Sequence, residues 1–159
     1  MNISIICIGK LKEKYWRDAV DEYMKRLGGY CTPKIIELKE SRLAANPSPA
    51  DEASVVEAEG SEILDRLDSG MYVVTLEIKG RKLTSEDLAD RIGELALAGR
   101  SDIAFVIGGS LGLSQKVSRR ADLKLSFSDM TFPHQLMRVI LLEQIYRSFK
   151  ILRHEPYHK

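Results

Sequence analysis

Five short apolar runs alternate along this chain with stretches whose apolar residues recur at helical spacing, and that alternation constrains the fold more than any other feature. The runs cover residues 3–8, 33–38, 71–78, 103–107 and 123–127. Ile3, Ile5, Ile6, Cys7 and Ile8 leave almost no polar side chain between them, as a strand covered on both faces requires. Successive parallel strands cannot be joined by a tight turn; each needs a crossover, and a helix is the usual one. The pattern predicts an α/β layer fold, a mostly parallel sheet flanked by helices. At 159 residues the chain is predicted to form one domain, 1–159, long enough to bury about two-thirds of its unfolded surface.

The helical stretches carry their own punctuation. Residues 14–27 set Tyr15, Trp16, Ala19, Val20, Tyr23, Met24 and Leu27 at helical spacing, and Gly28-Gly29 supplies the stop. After a loop at 41–50 rich in Ala, Ser and Pro, residues 51–67 start acidic and bury Val55, Val56, Ile63, Leu64 and Leu67. Lys79-Gly80-Arg81 closes the third run. Thr84-Ser85-Glu86-Asp87 is a capping box flanked by the staple residues Leu83 and Leu88, so a helix starts there and ends near Gly99. A short helix at 113–120 precedes the fifth strand. Pro133 suits the first turn of a long last helix reaching about residue 153, with Thr131 placed to cap it.

That last helix is apolar on much of its circumference. Arg138 shares an azimuth with Leu142, Ile145 and Phe149, while Glu143, Arg147, Lys150 and His154 lie opposite. Leu136, Met137 and Ile140 form a further apolar sector. Such a helix is expected to meet two partners, the core and a second subunit, which points to a homodimer. Arg138 on its apolar face is either a buried ion-pair partner, most commonly across an interface, or a functional cation.

A net charge of +1 argues against coating nucleic acid by bulk charge, although local patches remain open. Cys7 inside a strand and Cys31 beside a turn fit a reducing compartment better than a disulfide framework. The apolar opening lacks a basic start, is too short to span a bilayer and stops at Gly9-Lys10. The expectation is a cytoplasmic protein with no membrane association.

Two strand ends run straight into small-residue turns. Gly108-Gly109-x-x-Gly112 follows the fourth strand, and Ser126-Phe127-Ser128-Asp129-Met130-Thr131-Phe132-Pro133-His134-Gln135 ends the fifth. Turns of this kind aim backbone N–H groups at a ligand in α/β proteins, and equally they serve as a φ > 0 turn and a helix cap. Neither is a Gly-x-Gly-x-x-Gly fingerprint or a Walker loop, and no acidic ribose partner follows at the usual distance. His134, His154 and His158 complete no metal set with a cysteine or carboxylate pattern, so no metal is expected. Lys10, Lys12, Lys14 and Arg17 around Tyr15-Trp16 are diluted by Glu13, Asp18 and Asp21 and read as solvated helix surface. The tail Arg153-His-Glu-Pro-Tyr-His-Lys159 mixes cations with an aromatic past a proline stop, which suits a phosphate backbone and a stacked base, or a frayed end.

Taken together, Leu76-Glu-Ile-Lys-Gly80, Phe105-Val-Ile-Gly-Gly-Ser110, Leu125-Ser-Phe-Ser-Asp-Met-Thr-Phe-Pro-His134 and the ending Pro156-Tyr-His-Lys159 closely resemble one family. It is the ribosomal large-subunit RNA methyltransferase H family, the pseudouridine N(3)-methyltransferases of the SPOUT superfamily. The resemblance runs from the 3–14 segment to the last residue and is weakest at 41–50. It implies a SPOUT-like fold with a C-terminal trefoil knot, an exception to the rule that chains avoid threading. It implies S-adenosylmethionine bound in the knot by Leu76, Gly108, Phe127, Ser128, Asp129, Met130, Thr131 and Phe132, with S-adenosylhomocysteine as product. It further implies a homodimer with the active site across the subunit interface, and a pseudouridine of 23S rRNA within the assembled 70S ribosome as substrate. Arg138, Arg147, Tyr157 and His158 are the catalytic candidates: the last two to position the base or relay its proton, the arginines to stabilise charge or bind phosphate. The contrasting expectation is a non-catalytic ribosome-binding or assembly factor with the same fold.

Overall fold

The computed structural model describes residues 1–157. Five strands, β1 (Asn2–Ile8), β2 (Thr32–Leu38), β3 (Tyr72–Lys82), β4 (Asp102–Ile107) and β5 (Leu123–Ser126), form one sheet in the order β2-β1-β4-β3-β5. Every pairing is parallel. Five helices make the crossovers and the ending: α1 (Lys14–Leu27), α2 (Pro49–Leu64), α3 (Ser85–Leu97), α4 (Gln115–Arg120) and α5 (His134–Leu152).

Strand periodicity divides the core in two. Ile3, Ile5 and Cys7 of β1 face one side, where they meet Val20 and Leu27 of α1, Leu88 and Ile92 of α3, and Leu141 and Ile145 of α5. Ile6 and Ile8 face the other side, with Ile63 of α2 and Val117 of α4. Both faces of β1 are therefore covered, which is why its sequence shows almost no alternation. The last helix packs against both α1 and α3. Leu136, Met137, Val139 and Ile140 stay half-exposed on it.

Three of the departures from the expected element borders have a clear local cause. The second helix starts earlier, at Pro49, because Ser48 caps it and forms a capping box with Asp51; it stops at Leu64 rather than 67. The third strand does not close at Lys79-Gly80-Arg81. It runs on to Lys82, with its register jumping between Leu76 and Arg81 so that Arg81 pairs with Leu125 and Lys82 with Ser126. Gly80 makes that possible: a Cβ there would sit 2.7 Å from the Lys124 carbonyl oxygen. Finally, Pro133 itself is the N-cap of α5 and Thr131 does not cap it. The capping box of α3, with Thr84 and Asp87, is as expected.

Candidate active site

Three turns converge at the C-terminal ends of β3, β4 and β5, the edge where open parallel sheets hold ligands. The first is the irregular stretch of β3 past Leu76. The second is the glycine turn after β4, in which the Gly112 N–H donates to the Gly109 carbonyl at 3.0 Å and Gly112 adopts φ +84°. Gly108 is required for a different reason, since a Cβ there would lie 2.9 Å from the Gly112 backbone. The third turn follows β5. Its Ser126 hydroxyl donates to the Ile78 carbonyl at 2.8 Å, and the Met130 N–H donates to the Ser128 hydroxyl at 3.0 Å.

Between these turns lies a cavity of about 420 Å³, within the usual range of small-molecule sites. Leu76, Gly108, Phe127, Ser128, Met130, Thr131 and Phe132 all line it. Asp129 does not; its carboxylate is ion-paired with Lys82. The walls offer apolar side chains, bare glycine backbone and one carboxylate, that of Glu77, which accepts from the Thr75 hydroxyl at 2.7 Å and the Ser118 hydroxyl at 3.1 Å. Among the described residues no lysine or arginine lines the cavity. A nucleotide's phosphates would find no counter-charge here, whereas a flat base with a cationic sulfonium would find apolar faces, backbone edges and a carboxylate. The residues present therefore fit an adenosyl group such as that of S-adenosylmethionine.

The catalytic candidates lie elsewhere in the chain. Arg138 is 2 % exposed and fully engaged on one edge: Nη1 donates to Glu37 at 2.8 Å, and Nη2 donates to the Ile8 and Gly9 carbonyls at 2.9 and 2.7 Å. It is thus a buried ion-pair partner, but the pairing is within the chain rather than across an interface. The cause is its position on α5, above the ends of β1 and β2 where carbonyls have run out of strand partners.

Arg147 pairs with Glu143 at 2.5 Å and lies 4.8 Å from the centre of the Tyr157 ring. The Tyr157 hydroxyl donates to Glu143 at 3.1 Å, and its ring packs edge-on against Tyr146. Burial, followed by hydrogen bonding to Tyr23, pushes the Tyr157 phenol well above its ordinary range. Tail residues Arg153 and Glu155 are likewise folded back, onto Tyr30. His158 lies outside the described residues. Arg147 stands thirteen positions along the helix from the cavity-lining His134, about 20 Å at the rise of an α-helix. Within one chain the cavity and the Arg147–Tyr157 cluster do not meet.

One residue lining the cavity and one buried behind its glycine turn were given no binding or catalytic role from the sequence. His134, at the start of α5, lines the cavity half-exposed. Glu59 of α2 is 4 % exposed, and its Oε1 accepts the Ser41 N–H at 3.0 Å. Its signal was present: Glu59 falls one helical turn from Val55 and from Ile63, on the buried stripe of its helix.

The fold and the cavity define an α/β protein with a ligand-sized cavity at the ends of parallel strands. Among solved structures, "a probable methylase family protein from Haemophilus influenzae Rd KW20" shares the fold, with a TM-score of 0.56 at 13% identity, over 99% of this chain and 70% of that one. The family model described as "Predicted SPOUT methyltransferase" matches residues 1–158, and the chain belongs to that family. Full-length relatives refine the placement: proteins of Clostridium novyi (strain NT), Alkaliphilus oremlandii (strain OhILAs) and Clostridium kluyveri (strain NBRC 12016) are 58%, 56% and 53% identical over 100% of both chains. Each is called ribosomal RNA large subunit methyltransferase H.

Proposed function

We propose that this protein transfers a methyl group from S-adenosylmethionine to the N(3) ring nitrogen of a pseudouridine in 23S rRNA, on the assembled 70S ribosome in the cytoplasm. The observation that carries the reading is the cavity. Three strand-end turns build it without a lysine or arginine among the described residues, and it lies at seven of the eight positions that the family resemblance assigns to the cofactor.

The chain's own residues divide the work. Leu76, Phe127 and Phe132 supply apolar surface for the base, while the turns at Gly108 and Ser128 offer backbone groups to its edge. Glu77 places negative charge in a wall of the cavity that would otherwise be neutral. The bound cofactor supplies an activated methyl on a sulfonium, so the reaction needs alignment more than covalent help. Arg138 fixes α5 on the strand ends and so positions the cavity from behind. Arg147 and Tyr157, with His158 of the tail, contact the RNA.

These groups reach the cavity from a second copy of the chain. That arrangement accounts for the distance of about 20 Å along α5 and for the half-exposed Leu136, Met137, Val139 and Ile140. The sheet-end turns form the trefoil knot in this reading. No separate RNA-binding domain is needed, because the ribosome presents the base by shape.

Removing the gene from its host and analysing 23S rRNA nucleosides by mass spectrometry tests the assignment. Loss of one N(3)-methylpseudouridine, restored by the wild-type gene and not by a Gly108→Val copy, is the expected result. An unchanged nucleoside profile would exclude it and favour an assembly factor.

A further inference from the structure

The chain turns back on itself directly after α5. The His154 N–H donates to the Ile151 carbonyl at 3.0 Å and the Glu155 N–H to the Lys150 carbonyl at 2.9 Å, the paired bonds of a Schellman ending. Such an ending needs a left-handed residue, usually glycine, just past the cap. Here it is His154, with φ +53°, the one non-glycine residue of positive φ among those described. A Cβ makes that conformation costly, and it persists where contacts beyond it hold the chain.

Glu155 makes those contacts. Its carboxylate accepts from the Tyr30 hydroxyl at 2.5 Å and pairs with the Lys150 ammonium at 2.6 Å. Bonds of this kind, with one partner ionised, are stronger than neutral ones. Tyr30 belongs to the turn between α1 and β2, so the clasp ties the tail to a distant part of the chain. The Tyr30 ring has a separate duty: it stacks on Phe149 with centres 5.8 Å apart and lies 4.5 Å from the Arg153 guanidinium.

What the clasp keeps in place is Tyr157. Its hydroxyl reaches Glu143, nine positions before the helix ends at Leu152, and its ring reaches Arg147. Nine positions are about 14 Å of helix, whereas residues 155–157 span about 10 Å when extended. The chain must therefore reverse at once and keep to the helix surface for Tyr157 to arrive there. Arg153, His154 and Pro156 stay exposed, so the reversal itself buries little; its effect is on where Tyr157 stands.

We propose that Tyr30 and Glu155 are positioning residues of the methyl transfer, holding the tail so that Tyr157 and Arg147 present one surface to the RNA. This rests on the reading that Tyr157 and Arg147 contact the RNA. Tyr30 and Glu155 act through Tyr157 and touch neither cofactor nor acceptor.

The test compares full-length wild type with Tyr30→Phe, Glu155→Ala and Glu155→Gln. Tyr30→Phe keeps the ring on Phe149 and removes only the hydroxyl. Glu155→Gln keeps an oxygen for Tyr30 and loses the charge. Three quantities are read: the rate of tryptic cutting after Arg153, by mass spectrometry; S-adenosylmethionine affinity, by calorimetry; and kcat and KM on ribosomes lacking the modification. Glu155→Ala should be cut about tenfold faster and lose about tenfold or more in kcat/KM, the order expected for lost bonds to a charged group. Its cofactor affinity should stay within about twofold of wild type, because the cavity is remote from the clasp. Tyr30→Phe should move in the same direction, and Glu155→Gln should recover part of both losses. A merely structural role would raise the cutting rate and leave turnover alone, or lower cofactor affinity and turnover together. Either result, or a Glu155→Ala tail cut no faster than wild type, overturns the inference. Should Glu155→Ala misfold, Tyr30→Phe decides by the same readouts. A wild type that binds no cofactor or methylates no ribosome refutes the function proposed above; failure of the positioning role shows instead as variants equal to an active wild type.

Discussion

The guanidinium of Arg138 and the carboxylate of Glu37 meet at 2.8 Å, joining the last helix to the second strand across 101 residues of chain. The same guanidinium closes off the Ile8 and Gly9 carbonyls. One side chain therefore fixes the angle at which α5 leaves the sheet, and with it the place of His134 one turn earlier.

Replacing Arg138 by Met should destabilise the protein by about 3–5 kcal/mol, since it takes the counter-charge from Glu37 and this donor from the Ile8 and Gly9 carbonyls. Arg138→Lys should recover little of this, because a single ammonium cannot reproduce the planar fork. Urea unfolding followed by circular dichroism measures both. An Arg138→Met protein as stable as wild type would show the contact to be incidental.

Gly108→Val should leave the fold intact and weaken S-adenosylmethionine binding by about tenfold or more. The added Cβ begins 2.9 Å from the Gly112 backbone, which has nowhere to retreat without opening the turn. Calorimetry reads the affinity directly, with thermal unfolding as the check on the fold.

Two-subunit assembly of the site has a quantitative signature. A Gly108→Val subunit lacks the cofactor cavity, and a Tyr157→Phe subunit lacks the contribution of the tail. Each homodimer should be inactive, yet random mixing should restore about a quarter of wild-type activity, because half the dimers are mixed and each holds one complete site. No recovery on mixing, with exchange confirmed by mass spectrometry, would place all groups in one chain.

Stability should fall on the alkaline side. Burial pushes the Cys7 thiol from its ordinary 9.0 to about 11, and Cys31 likewise to about 11. Between those values the unfolded chain loses thiol protons that the folded chain keeps, so stability is full below pH 9 and declines as pH rises toward 11. For Cys7 alone the decline is roughly 2–3 kcal/mol. Unfolding free energy measured between pH 8 and 11 checks this, and Cys7→Ala should flatten the slope.

The legibility of this fold in its sequence follows from where the free energy is local. β1 and β4 are covered on both faces, so their composition announces them. The start of α3 rests on four adjacent residues and is equally plain. The extension of β3 was hidden because Lys79-Gly80-Arg81 looks like a turn, whereas Gly80 is there to let β5 pass close by. That requirement is set by a strand more than forty residues later. The turns around the cavity were visible as glycine and small-residue clusters; of the two readings of Thr131, the capping one fails, and the residue lines the cavity. Glu59 escaped notice because it is ordinary in its own helix and acquires its place only where α2 meets the Gly109 turn.

The most direct measurement is transfer of labelled methyl from S-adenosylmethionine to ribosomes that lack the modification, with separated large subunits and free 23S rRNA in parallel. One methyl per ribosome at the N(3) position of a single pseudouridine, fastest on intact 70S particles, is the predicted result. Label on any other nucleotide, or none from protein shown to bind the cofactor, would contradict the account.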